Sequence, residues 1–495
     1  MTGQSNIPPP PPPPPAGPPY PASTVGPTAT RAVKPDWREG PRASTRALRA
    51  VVVSAVAAAV FWGNGAGSLG TGLWLVILGV LVVAAPSRRD RLGLVAVAAS
   101  MVFAAYLALR ASPWLVPLNL LAGFGLVAFA AVLPADRSIL QRPAMVMARY
   151  VGLFRLIDAV AYVVRPLEQA IARRDRNKLR SVAAGLAIAA PIVVILGSLL
   201  AAGDAVFSAA FDQFTFADQT GVRVMYALAG AIVATTLMLA TSRSWTTPGE
   251  PARVLGTVEA TIVAGAVAVL YAAFAVAQAV ATFGGVDQVL ETAGLTRAEY
   301  ARDGFFQLLW AAGLTLGTLL VLDRLRRRER GGTFRVFATV TSMLTILVVA
   351  VSIDRLLTYV DDFGWTMLRL YTVLFAAWIG LLFLGLASRF AGLRLLQDWY
   401  PVFVAVTGLI WLLALNVANP EAFVARENLA TADHADAVYL RQLSPDATPA
   451  ILDGLDTLSD ADQQMLLESL CGDADASMLG NIGRARAFDA VASRC

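Results

Sequence analysis

Histidine is almost missing: His434, in "TADHADAVYL", is the only one in 495 residues. Asp433 and Asp436 stand near it, but no second histidine exists and the two cysteines, Cys471 and Cys495, are distant in sequence. No transition-metal ligand set assembles from these residues. A Ser/His or Cys/His nucleophile would have to use His434 as its base, and no orienting motif accompanies it. No glycine-rich loop carries an appropriately placed lysine, which removes the phosphate cradle of nucleotide hydrolysis, and no cofactor is implied. Lysine is scarce as well: Lys34 and Lys178 stand against 38 arginines, which with abundant alanine suggests a GC-rich bacterial genome.

Charge is the other shortage. Only 15% of residues are charged while 57% are hydrophobic, and the mean hydropathy is +0.61. Such a balance belongs to membrane spans rather than to a soluble core. The apolar residues come in runs of roughly 17 to 25, the length a helix needs to cross about 30 Å of hydrocarbon. Eleven spans are expected, centred near Ala57, Ile77, Met101, Ala122, Ile192, Ala231, Ala268, Gly313, Ile346, Phe375 and Gly408. The net charge of +5 sits between these runs, where topology explains it better than nucleic acid does. No nucleic-acid partner is expected. No cleavable signal peptide is visible, so the first span should stay in the mature protein.

The arginines set an orientation. The leader carries Arg31, Lys34, Arg38, Arg42, Arg46 and Arg49, "GNGAGSLG" after the first span carries no charge, and "SRRDR" is basic again. The connector from Pro134 to Arg180 holds nine arginines and a lysine, and "DRLRRRER" from Asp323 to Arg330 holds five arginines. By the positive-inside rule these lie in the cytoplasm, so the N-terminus is inside and the C-terminus outside a bacterial inner membrane. The expected fold is therefore all-α: a polytopic transmembrane helical bundle with a small extracytoplasmic helical tail.

Five regions follow. Residues 1–47, with "IPPPPPPPPAGPPYPAS", form a disordered, polyproline-rich cytoplasmic tail. Residues 48–133 hold the first four spans. Residues 134–180 form a basic amphipathic connector whose arginines attract anionic headgroups at about 1 kcal/mol each. Residues 181–418 hold the remaining seven spans, and 419–495 the acidic helical tail, with thirteen acids against five arginines. Within the tail, Ser444–Pro445 and Ser459 mark helix starts. Cys471 and Cys495 could pair in an oxidising compartment, contributing about 3 kcal/mol by loop closure, or stay as two thiols.

The chemistry-bearing side chains gather at the outer ends of the later spans. Glu299, Tyr300 and Arg302 open the eighth span; Asp354, Arg355, Asp361, Asp362 and Arg369 flank the junction of the ninth and tenth; Asn416, Asn419, Arg426 and Asn428 follow the eleventh. Asp361 or Asp362 is positioned to cap the following helix. Arg369, two turns inside an apolar run, needs a partner, with Glu299, Asp354, Asp361 or the amide of Asn416 as candidates. A polar knot closing the outer ends of spans eight to eleven is expected, serving either as a helix lock or as a binding site.

Four stretches in order, "EYARDGFFQL", "FGWTMLRLYT", "NPEAFVARENL" and "DAVYLRQLSPDATP", give a resemblance to a family of uncharacterised prokaryotic multi-pass membrane proteins. It is identified as domain-of-unknown-function family 4173, a 4153-like family. The resemblance covers roughly Thr296 to Pro449. The chain departs from it at Phe363, usually tyrosine, and at Trp365, usually leucine. It supports the architecture and implies no established activity. The functional expectation is a non-enzymatic envelope sensor or scaffold in contact with membrane lipids and an envelope or signalling protein. A transporter of a small solute or lipid, with Glu259 and Arg369 lining a path, is the first alternative. A membrane-embedded glycosyl or lipid-carrier transferase using Asp361 or Asp362 as base is the second.

Overall fold

The structure, a computed structural model, describes residues 42–62, 68–85, 91–133, 162–163, 219–242, 257–284, 297–325, 332–392, 394–431, 436–473, 480–492 and 494–495. Within them all regular structure is helical. Five helices belong to a first bundle: α1 (Thr45–Phe61), α2 (Leu69–Val83), α3 (Arg91–Leu109), α4 (Leu115–Val132) and α5 (Gln219–Ser242). A second bundle contains α6 (Thr257–Gly284), α7 (Arg297–Leu325), α8 (Gly332–Phe363), α9 (Met367–Phe390) and α10 (Arg394–Ala418). These ten cover ten of the eleven predicted span centres; the one near Ile192 lies outside the described residues, as do the Pro-rich leader and nearly all of the basic connector. Among the described residues, five stretches are long and apolar enough to cross a membrane: α3, α4, α8, α9 and Trp399–Ala418 of α10. With 15 residues, α2 is shorter than a full span, and α1, with 17, is at the lower limit.

Lipid offers apolar surface as readily as a protein core does, so helices here must associate through close packing and hydrogen bonds rather than burial alone. The first bundle shows how. Gly230 of α5 sits so near α1 that a Cβ would lie 2.6 Å from the Ala58 Cβ and 2.8 Å from the Ser54 carbonyl. At that crossing the Ser54 hydroxyl donates to Gly230 O at 2.9 Å and accepts from the Trp74 indole at 3.2 Å. In the second bundle α8 packs against α6, α7 and α9. Buried Ala264 and Ala338 let α6 and α8 approach, and Thr341 donates its hydroxyl to Ala264 O at 3.3 Å.

Tail helices α11 (Pro420–Ala430), α12 (Ala437–Leu440), α13 (Thr448–Asp453), α14 (Asp460–Asp473) and α15 (Ile482–Ala492) surround a small core that includes Ala425, Leu440, Ile451 and Leu466. The expected helix starts hold: Ser444 accepts from Asp446 N, and Ser459 from Asp462 N. Cys471 and Cys495 are joined in a disulfide with Cα atoms 6.0 Å apart.

The tail covers one end of the molecule. At that end lie the α3–α4 corner (110–114), the α8–α9 corner (364–366) and the start of α2, where Leu69 N donates to Gly480 O. At the opposite end, next to "DRLRRRER", Arg389 of α9 pairs with Asp323 of α7 at 2.6 Å, and its guanidinium lies 5.7 Å from the centre of the Tyr400 ring.

Candidate functional site

Where α10 ends, the chain turns through Asn419, the sole non-glycine residue with positive φ (53°) among the described residues. Asparagine tolerates this left-handed region better than other branched or bulky residues, and here its side chain makes the turn useful. Its amide donates to Asp446 O at 2.9 Å while its Oδ1 accepts from Ala422 N at 3.4 Å, capping α11. Proline at the first position of α11 costs no hydrogen bond, because that N–H would be unpaired anyway. Glu421 follows in the first turn and is 1% exposed.

Glu421 and Asp446, both buried, aim at the α3–α4 corner. Glu421 Oε1 accepts from the Ser112 hydroxyl at 2.6 Å, and Oε2 accepts from Ser444 N. Asp446 Oδ2 accepts from Ala111 N at 2.9 Å and Ser112 N at 3.0 Å. The cation beside them is Arg110, which donates through Nε to Asn416 O at 2.8 Å and through Nη2 to the same carbonyl. Arg110 thereby closes the C-terminal end of α10, where carbonyls lack helical partners and the dipole favours positive charge. Burial pushes the Asp446 carboxyl above its ordinary value, and the charge of Glu421 adds to this. The Ala111 N–H, Arg110 and the Ser112 N–H pull it back.

One turn into the apolar layer, Asn119 of α4 and Asn416 of α10 exchange amide hydrogen bonds at 2.8 and 2.7 Å. Both are fully buried. A paired amide satisfies a polar group that hydrocarbon would leave bare, and it fixes α4 against α10, where the two bundles meet. The Trp114 ring at the start of α4 and the Tyr371 ring of α9 stack at 5.3 Å with 17° between planes.

A second clasp joins α11 to the α8–α9 corner. Asn428 accepts from Trp365 N and donates to Trp365 O, both at 2.8 Å. Tyr439 accepts from Met367 N at 2.7 Å, and burial raises its phenol above the ordinary value. Gly364, at φ 71°, makes the turn.

The predicted knot is redistributed by this geometry. Asn416, Asn419 and Asn428 lie within the clasps. Arg369 does not take an acid or Asn416 as its hydrogen-bonding partner. It donates to the carbonyls of Phe363, at 2.9 Å, and Gly364, and lies 4.5 Å from the centre of the Tyr359 ring. Side chains in a first helical turn point back toward the N-terminus, so its long stem returns the charge to the end of α8 instead of carrying it deeper. The helix cap is also different: Thr366, not Asp361 or Asp362, caps α9 by accepting from Arg369 N at 3.3 Å. Asp361 and Asp362 fall in the last turn of α8, too early to reach the amides of α9, and are exposed, as are Asp354 and Arg426. Arg355 is half-buried on α8. Glu299, Tyr300 and Arg302 lie on α7, and Glu259 on α6, with side chains outside the description; so is His434.

Sequence reasoning missed Arg110, Ser112, Asn119, Glu421 and the role of Asp446. The available signal was polar residues at or inside apolar runs: Arg110 ends one and Asn119 interrupts another.

A chain whose described residues form only helices, at least five of them able to cross a bilayer by length and composition, and which a helical tail closes at one end, is a polytopic membrane protein. This chain belongs to the family described as "Domain of unknown function (DUF4153)", whose model matches residues 97–454, more than half of its length. That match selects 4153 over the number 4173 and begins well before Thr296, taking in both sides of the main clasp. No curated protein and no solved structure matches the chain.

Proposed function

We propose that this protein is a non-enzymatic multi-pass component of the bacterial inner membrane, an envelope sensor or scaffold whose tail is presented outside the cytoplasm. The observation that carries this reading is the use made of Glu421 and Asp446. These are the most buried carboxylates among the described residues: Asp446 Oδ2 and Glu421 Oε1 accept from the backbone N–H groups and the serine hydroxyl of the α3–α4 corner and so dock the tail, while Glu421 Oε2 accepts from Ser444 N within the tail. A catalytic acid or base needs a lone pair or proton turned toward a reactant. These acids serve architecture, with Arg110 as the balancing charge.

The partner in this reading is an envelope or signalling protein that engages the tail, with lipids around the bundle. Crosslinking and pull-down of the intact protein from native membranes tests it. A copurifying envelope-assembly or signalling protein supports the scaffold; stoichiometric recovery of a small solute or lipid with no protein partner favours transport. The transport reading draws on the buried Asn119–Asn416 pair at the seam of two bundles, the kind of place where a path could open. The transferase reading is weaker, since Asp361 and Asp362 are exposed on α8 rather than gathered in a cleft.

A further inference from the structure

Residues 482–492 form a helix of 11 residues, a length that is marginal on its own in water. What holds α15 in place is therefore its attachments: buried Gly483, Ala487 and Val491 pack it against the tail and α3, and further contacts hold each end. At its start, Asn481 donates to Arg110 O at 2.9 Å and Leu107 O at 3.3 Å while capping Arg484 N at 3.1 Å. Gly483 lies directly on the main clasp: a Cβ there would be 2.6 Å from Asp446 Oδ1 and 2.9 Å from Leu109 O. At its end, Cys495 N and Arg494 N both donate to Val491 O in a turn that holds the cysteine against the helix, and the disulfide ties that end to Cys471 of α14. Cys495 is exposed and Cys471 half-buried.

We propose that the Cys471–Cys495 bridge is a redox switch controlling whether α15 covers the carboxylate clasp. This deepens the sensor reading and rests on it for the tail's exposure to an oxidising compartment. A dithiol reductant is the co-reactant. Its thiolate attacks the accessible Sγ of Cys495, breaking the S–S bond and releasing Cys471 as a thiolate. The reductant's second thiolate then attacks its own sulfur in the mixed disulfide, which frees Cys495. Two electrons pass to the protein, the two protons of the dithiol end on Cys471 and Cys495, and the reductant leaves as a cyclic disulfide. With the bridge gone, Asn481 and the packing of Gly483, Ala487 and Val491 no longer suffice, and α15 comes away from the corner starting at its C-terminal end. Gly483 then uncovers Asp446, and water reaches the amides of Ala111 and Ser112.

Hydrogen exchange on the full-length protein in lipid nanodiscs, oxidised, fully reduced by dithiothreitol and reoxidised, tests the switch. Reduction should speed exchange about tenfold or more in 482–492 and at Ala111 and Ser112, leave α1 to α10 and α14 unchanged, and reverse on reoxidation. Gly483→Val, with the bridge intact, should expose the same corner without reductant. Unchanged protection of 482–492 after complete reduction overturns the switch, because Asn481 and packing alone then hold the helix. Loss of protection throughout 419–495 also overturns it, making the bridge a general staple of the tail. Unchanged exchange at Ala111 and Ser112 in Gly483→Val does the same. Each of these failures leaves the scaffold reading to its own pull-down test.

Discussion

Asp446 illustrates how one side chain can make docking depend on pH. Its carboxyl is raised above the ordinary 3.8 in the docked tail, chiefly by burial. Below that ordinary value the acid is neutral whether docked or free, and its contribution to docking is present in full. As pH rises through the raised docked value it ionises, burial of the charge becomes costly, and the contribution is lost. Thermal midpoints of the purified protein should therefore fall as pH rises across this window, with Asp446→Asn showing a flatter profile; parallel curves would show that Asp446 has no such role. Arg369 is a different case, a cation spent on the C-terminal carbonyls of α8. Arg369→Met leaves those carbonyls without it and should cost about 1–2 kcal/mol, read as a lower thermal midpoint with normal insertion. An unchanged midpoint would remove Arg369 from the lock. The need of Arg369 for a partner was legible in the sequence, and the partner was not. Apolar context announces that a charge must be satisfied, whereas backbone carbonyls that satisfy it leave no trace in residue type.

Helices were the easiest elements to read, since apolar runs of spanning length have few other outcomes. Serine starts at 444 and 459 were equally plain because a cap is a local event within three or four residues. The main clasp was not, for Ala111 and Asp446 are 335 positions apart and neither sits in a pattern that points to the other. Contacts between helices depend on similarly distant residues, and Gly230 is the sharpest case. Adding a single methyl as Gly230→Ala would press against Ala58 Cβ and the Ser54 carbonyl, and the backbone carbonyl cannot rotate away. The cost should be about 1–3 kcal/mol, with α1 and α5 forced apart and the Ser54 to Gly230 bond lengthened. Gly313→Ala on α7 meets nothing within 4 Å and should be neutral or gain up to about 1 kcal/mol from helix propensity. Thermal unfolding of the pair in one detergent checks both, and equal midpoints would show that the α1–α5 crossing is not closely packed.

For the whole molecule, the arrangement of polar bonds ties the sidedness of its parts together. The tail is too small to depend on a large core of its own, so docking and the disulfide add to what Ala425, Leu440, Ile451 and Leu466 supply. Docking reaches both bundles at once, through Ser112 in the first and Trp365 in the second, so the α3–α4 corner, the α8–α9 corner and the tail must share one side of the bilayer. The start of α8, beside the basic "DRLRRRER", must face the other. Because both native cysteines are bonded to each other, single introduced cysteines can report this cleanly. Pro113→Cys and Ile482→Cys, both at exposed positions, should react together with a membrane-impermeant maleimide added to intact cells if the tail is outside. Thr333→Cys, exposed at the start of α8, should react only after the membrane is opened. Labelling of 333 alone in intact cells would invert the proposed orientation while keeping the architecture. Labelling of 113 and 482 from opposite sides would dismantle the clasp itself, since no hydrogen bond between Asp446 and Ala111 can pass through a bilayer.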